Sequence, residues 1–270
     1  DWCPSAADAG CGFDCMKTAT EAAGYTWCEA KTDPEKEPPD NREAIVKSIE
    51  AGKPVVAMDL DGGMDWGVIA GYLDGGKKLL CRTYERRGEE YSPQQKWPWL
   101  VWVLERKAKP PDRKATIVGS LRQAVDLANT PKYDRYISGF AAYEAWVRDL
   151  SDEARFENLD QKALHGQMHA NAWCYYSLYD ARASASRYLF SVKGVFPTAA
   201  AGHMLKAAEL FKQIACKLRD GQRYAPFPRQ LQGHPWTKEM RAAEAEVLRE
   251  VMVLEREAVS EIETALREIA

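Results

Sequence analysis

The sequence predicts an α+β protein in two parts: a mixed helix-and-strand domain, then an all-α helical bundle. Three observations lead there. Before residue 108, short helical patterns precede a meander of strand patterns. After it, every periodic segment repeats at three and four residues. Between them, Lys107-Ala108-Lys109-Pro110-Pro111-Asp112-Arg113-Lys114 is charged, proline-bearing and aperiodic, as a linker is. The division is therefore 1–107, a linker at 108–115, and 116–270.

In the first domain, residues 14–23 form a short helix stopped at Gly24, and the polar, proline-rich residues 29–40 form a loop. Residues 41–51 form a helix capped by Asn41, striped by Ile45, Val46 and Ile49, and ended by Gly52. Strands follow at 54–60 and 66–73. Asp74-Gly75-Gly76 then makes a hairpin-type turn into a strand at 78–84, and 98–104 is the last strand.

Five helices make the second domain: 117–128, 136–150, 159–192, 198–219 and 236–269. The third places Leu164, Met168, Tyr175, Leu178, Ala185 and Leu189 close to one face. The fifth carries Val247, Val251, Leu254, Ala258, Ile262, Ala265 and Ile269 at spacings of three and four, with charges between them. Lys132, Arg135, Arg148 and the basic residues of the last helix are balanced by nearby acids and read as solvated faces.

Composition bounds the function. The 270 residues are 46% apolar, enough for an ordinary core. The formal net charge of -3 argues against a broad nucleic-acid surface. No apolar run of about 18 residues is present, so no membrane-spanning helix is expected. Asp1-Trp2-Cys3-Pro4 is neither an initiator methionine nor a signal peptide, so the chain reads as an excised or processed form with a truncated first domain. Seven cysteines, an odd and sparse set, point to reduced thiols and a cytoplasmic protein; a disulfide or a four-thiolate zinc site among Cys3, Cys11, Cys15 and Cys28 is the alternative.

Two segments carry the functional reading. Cys11-Gly12-Phe13-Asp14-Cys15 opens a helix of small and apolar residues that closes on Gly24-Tyr25. Asp65-Trp66-Gly67-Val68-Ile69-Ala70-Gly71-Tyr72 is a strand ending in Gly-Tyr, with the turn at Asp74 behind it. Later come Tyr91-Ser92-Pro93-Gln94-Gln95-Lys96-Trp97-Pro98-Trp99 and a strand. In order and spacing, residues 5–105 resemble the double-glycine peptidases that process bacteriocin leaders, and the related acyltransferase domain of butirosin biosynthesis. The resemblance implies a papain-like fold with Cys11 as nucleophile and a cleft in which Trp66, Cys15 and Tyr84 meet a ligand.

That chemistry needs a thiolate at a helix start, a histidine to move the proton, and a group to orient the histidine. Only the first matches. Asp65 stands where the resemblance implies the histidine, and Cys81-Arg82-Thr83-Tyr84 stands where it implies the orienting aspartate. All four histidines, His165, His169, His203 and His234, fall in the helical part. Asp65 beside Cys11 would disfavour the thiolate by like charge. The reading is a catalytically degenerate domain that binds a peptide or small-molecule ligand. A live cysteine amidohydrolase or acyltransferase using Cys11 competes with it.

A third reading is metal binding by His165 and His169, one turn apart on a helix, completed by Glu144 or Asp180. Asp59, Asp61, Asp65 and Asp74 cluster around turns, where solvated turn residues are the default over a calcium site. Trp97, Trp99 and Trp102 cannot all face one side of a strand. The reading calls for no cofactor, no nucleic acid and no membrane, and leaves open a homo-oligomer formed through the helical domain.

Overall fold

The computed structural model describes residues 2–3, 15–31, 41–60, 65–83, 90–94, 97–107, 109, 111–231 and 235–269. The chain divides into two compact units. One is Cys15–Pro111; the other is Asp1–Asp14 with Asp112–Ala270. The second unit therefore takes in the segment Asp1–Asp14, which the sequence reading assigned to the first domain.

In the sheet unit, helix α1 (Cys15–Ala22) precedes strand β1 (Tyr25–Lys31), and helix α2 (Arg42–Glu50) precedes β2 (Val55–Met58), β3 (Trp66–Leu73), β4 (Lys78–Thr83), β5 (Ser92–Gln94) and β6 (Leu100–Lys107). The sheet has the order β1-β6-β2-β3-β4-β5, and every neighbouring pair is antiparallel. Gly24 and Gly52 end the two helices at positive φ, as expected. Asp74, Gly75 and Gly76 all have positive φ and make the expected hairpin turn into β4.

Three details of this unit differ from the sequence reading. Glu29, assigned to a loop, pairs with Trp102 inside β1; its neighbours to residue 31 follow, because the edge of β6 offers unpaired backbone groups that a polar strand can satisfy as well as an apolar one. The strand β5 lacks apolar alternation and pairs with β4 at the end of the sheet order. Asn41 precedes α2 without capping it; its side-chain oxygen accepts a hydrogen bond from the indole N–H of buried Trp97 instead.

One face of the sheet is the unit's core. Val55, Ala57, Ile69, Leu79, Cys81, Val101 and Val103 pack there with Ile45 of α2 and with Trp97. The Lys53 ammonium fastens the α2–β2 corner to the sheet by donating to the carbonyls of Leu104 and Glu105 (3.3 and 2.5 Å).

The helical unit contains α3 (Arg113–Asn129), a small hairpin of β7 (Lys132–Tyr133) and β8 (Tyr136–Ile137), then α4 (Gly139–Ser151), α5 (Gln161–Val192), α6 (Thr198–Gly221) and α7 (Lys238–Ile269). The α3 helix starts inside the expected linker because the Asp112 carboxylate caps it, accepting from the Ala115 N–H at 2.9 Å. Asp160 caps α5 in the same way, from the Ala163 N–H at 2.7 Å.

The helix expected from residue 136 starts at Gly139 instead. Asp134 and Gly139 have φ of 50° and 55°, values that build the hairpin turn and its exit. A Cβ on Gly139 would lie 2.2 Å from the carbonyl oxygen of Ala128, so the α3 C-terminus and the start of α4 touch through this glycine.

The core of this unit is built around α7, whose buried side chains include Ala245, Leu248, Val251, Ala258, Val259, Ile262 and Ala265. Met168, Tyr175, Leu189, Met204, Ile214 and Leu218 face them. Three charged-type residues are buried on α7 as well: Arg241, Glu244 and Glu255. Arg241 corrects the reading of the last helix's basic residues as a solvated face. Its guanidinium donates to the Trp236 carbonyl (2.8 Å) and to Glu153 (2.9 Å), and lies over the Phe156 ring at 4.1 Å. Trp2 joins this cluster, packing on Phe156 and Trp236 with centroids 6.3 Å from each.

Glu255 accepts two hydrogen bonds from Arg182, at 2.8 and 2.5 Å, and one from the Tyr143 hydroxyl at 2.6 Å. Glu244 accepts only from the Asn171 amide, at 3.0 Å, and Asn171 in turn accepts from the Trp146 indole at 2.7 Å. The second Glu244 oxygen is buried with no hydrogen-bond partner among the described residues.

Burial therefore holds the Glu244 carboxyl well above the usual carboxylate range, so the folded protein keeps a proton that the unfolded chain has lost. The stability of the neutral form is full below about pH 4.3, the unfolded value for glutamate, and declines as pH rises above it. Glu244→Gln is expected to flatten that decline, which is at most about 1.4 kcal/mol per pH unit. Urea unfolding at pH 5, 6.5 and 8 checks it; parallel wild-type and variant curves would count against it. Gly139→Ala is expected to cost about 3 kcal/mol by strain and contact with Ala128. Gly119→Ala, in the open middle of α3 with no atom near the added methyl, should instead stabilise by about 0.5–1 kcal/mol in the same assay.

Candidate functional site

Asp65 is exposed and lies immediately before β3. Its carboxylate accepts the N–H of Trp66 at 2.8 Å, and its carbonyl accepts the N–H of Asp59 at 3.1 Å. Asp59 adopts φ of 70° to reach it. The residue thus shapes the β2–β3 connection with both its side chain and its backbone.

The strand beyond it directs Trp66 to the sheet face opposite the core. Antiparallel register puts Met58 beside Trp66, Val56 beside both Val68 and Trp102, and Trp102 beside Glu29. Residues opposite one another in register point to the same face. The result is a row of tryptophans across three strands. Trp66 stacks on Trp102 with centroids 4.1 Å apart and planes 23° apart, and Trp27 meets Trp102 edge-on at 5.5 Å. The Trp102 indole donates to the exposed Glu29 carboxylate at 3.2 Å. Trp102 is 4% exposed, while Trp27 and Trp66 on either side are half-buried. Two partly open indoles around a closed one, next to the carboxylates of Glu29 and Asp65, form an apolar shelf with an acidic edge. Such a surface can stack planar or apolar groups and attract cations.

Trp27 and Glu29 escaped sequence reasoning because cross-strand neighbours share no sequence spacing. The signal was present only as a polar-aromatic alternation in Tyr25-Thr26-Trp27-Cys28-Glu29. Trp97, Trp99 and Trp102 separate as their alternation requires: Trp97 enters the core and Trp102 the opposite face, while Trp99 is half-buried.

Of the other expected site residues, Cys11 and Tyr84 lie outside the described residues, as does the side chain of Cys15, which opens α1. The segment expected to hold an orienting group, Cys81-Arg82-Thr83, lies on β4, with Cys81 in the core and Thr83 paired with Gly67.

His165 and His169 are both exposed on α5. The His169 ring accepts from the Trp173 indole at 3.0 Å, and both rings pack against Phe227. The suggested metal partners are placed elsewhere. Asp180 is on the same helix, eleven residues past His169, which is about 16 Å along its axis. Glu144 pairs with Arg256 at 3.0 Å. Among the described residues, no group of three or more His, Cys, Asp or Glu side chains is placed to hold a metal ion. Asp74 pairs with Lys78 at 2.9 Å in its turn, and Asp61 lies outside the described residues.

Cys3, Cys28, Cys81, Cys174 and Cys216 are free thiols. Cys3 lies 3.6 Å from the Tyr136 hydroxyl in the helical unit. Burial pushes the Cys174 thiol up to about 11, and burial with the nearby Glu105 carboxylate raises Cys28. Neither is a ready nucleophile at neutral pH.

A scan of protein-family models finds no family that matches the chain, and a search of curated proteins finds no match. Among the described residues, no helix is long and apolar enough to cross a membrane.

Trp66→Ala is expected to cost the sheet unit about 2 kcal/mol and to remove the near-ultraviolet circular-dichroism signal of the stacked pair. Trp66→Phe should keep most of the stability. A Trp66→Ala protein with an unchanged aromatic spectrum would show that the stack is not formed in solution.

Proposed function

We propose that the sheet unit is a catalytically degenerate relative of the double-glycine peptidases, and that it binds a peptide or small-molecule ligand on its tryptophan shelf. The observation that carries this reading is the placement of Asp65 and Trp66. The residue at the position of the expected histidine has its carboxylate bonded to the backbone N–H of Trp66, and the next side chain is stacked in the Trp27–Trp102–Trp66 row. Residues 15–111 contain no histidine, so the sheet unit supplies no imidazole for proton transfer. What remains of such a site is an aromatic surface edged by carboxylates, which suits binding by stacking and by cation–π contact better than proton transfer.

The test is iodoacetamide labelling of the native protein across pH, read residue by residue by peptide mass spectrometry. Cys11 is expected to react no faster than the other accessible thiols, with a midpoint at or above the ordinary thiol value of about 8.5. Selective labelling of Cys11 well below that pH would overturn the degenerate reading in favour of a cysteine amidohydrolase or acyltransferase.

A further inference from the structure

The helical unit contains a cavity of about 460 Å³ that the reading above does not use. Its walls come from the α3 C-terminus, the β7–β8 hairpin, α5, α6 and α7. Leu127, Phe211, Val259 and Ile262 make it predominantly apolar. Tyr133 and Tyr136 line it from the hairpin, where the positive φ of Asp134 and Gly139 fixes their placement. Arg182 and Glu255, the pair at the centre of the buried α4–α5–α7 network, line it as well.

This is an apolar chamber with a small, convergent polar group held rigidly in its wall. Its volume falls in the range of small-molecule sites. The polar group also limits what can enter. Arg182 and Glu255 neutralise each other through two hydrogen bonds, so the chamber has no net charge to exchange for that of an ionic guest. A charged guest would leave water without a counter-ion, at a large cost. The guanidinium nevertheless has five N–H groups, of which Glu255 takes two, so donors remain for an uncharged acceptor. Tyr133 and Tyr136 add aromatic surface to the same walls.

We infer that this cavity is a binding site for a small, uncharged, mainly apolar molecule carrying a carbonyl-type hydrogen-bond acceptor directed at Arg182. An amide, ester, ketone or lactone on an aromatic or aliphatic body has the required chemistry. The site belongs to the helical unit alone and stands independently of the function proposed for the sheet unit.

The test uses 1-naphthaleneacetamide and its anionic counterpart 1-naphthaleneacetate, titrated into the full chain by calorimetry. The amide is expected to bind with a Kd of about 1 mM or tighter, from the efficiency usual for a ligand of its size. It should bind at least about tenfold more tightly than the acetate, because only the acetate must lose its charge hydration. Ala185→Phe, which places a ring into the cavity from α5, should abolish binding while the protein remains folded by circular dichroism. Should that variant fail to fold, nuclear Overhauser contacts between naphthyl protons and the methyls of Leu127, Val259 and Ile262 in the wild type decide the matter; their presence supports the site. Absence of amide binding, equal or tighter binding of the acetate, binding that survives in folded Ala185→Phe, or bound amide without those contacts would each overturn the inference.

Discussion

The helical unit depends on one constraint: α7 buries polar groups that must find partners on other helices. Glu244 and Glu255 are eleven residues apart, which turns them by only about 20° around the helix, so both face inward. Arg241, one turn before Glu244, is buried with them. Each finds its partners on other segments of the unit. Arg241 reaches Glu153 after α4, Glu244 reaches Asn171 on α5, and Glu255 reaches Tyr143 on α4 and Arg182 on α5. An apolar face would tolerate sliding or rotation of one helix against another. A face with three buried polar groups tolerates little, because losing one partner leaves a polar atom or charge in the interior at about 3–5 kcal/mol for an ion pair. The register of α4, α5 and α7 follows from these bonds, with the surrounding leucines and alanines filling in.

The three groups are unequally satisfied, and that inequality orders their consequences. Glu255 accepts from Arg182 and Tyr143 on both oxygens, which makes it a fixed feature of the adjoining cavity wall. Glu244 has one donor and an orphan oxygen, and burial holds its carboxyl well above the usual carboxylate range. One carboxylate therefore supports a polar contact point, while the other makes the bundle sensitive to pH.

The sheet unit separates two tasks between its faces. The inner face is aliphatic and carries α2. The outer face gathers three of the chain's nine tryptophans in one stacked row around Trp102. Indole surface of this extent contributes to the unit's stability wherever it is covered, and its partly open members are available for stacking. Asp65, whose carboxylate holds the Trp66 N–H, stands next to that row. The turn at Asp59 and Asp65 sets where Trp66 begins its strand, and so whether the row closes.

Much was legible in the chain itself. The strand at 66–73, the Asp74-Gly75-Gly76 hairpin, the long α5 and α7 helices and the change of pattern after residue 107 all follow from local periodicity and turn chemistry, which act within a few residues. The lack of a histidine between Asp1 and His165 was equally plain. Tertiary structure decided what depends on partners distant in sequence. It recruited polar Glu29 into β1 because β6 had an open edge, and turned Asn41 from a cap into a partner for Trp97. It drew Arg241 into the core because Glu153, Trp236 and Phe156 were there to receive it. Trp27, Trp66 and Trp102 became one row through strand register alone, and Arg182, Glu255 and the hairpin tyrosines became one cavity through helix packing. Hydrogen-bond partners and cross-strand neighbours carry no fixed spacing along the chain, so these arrangements come into being only when the elements meet.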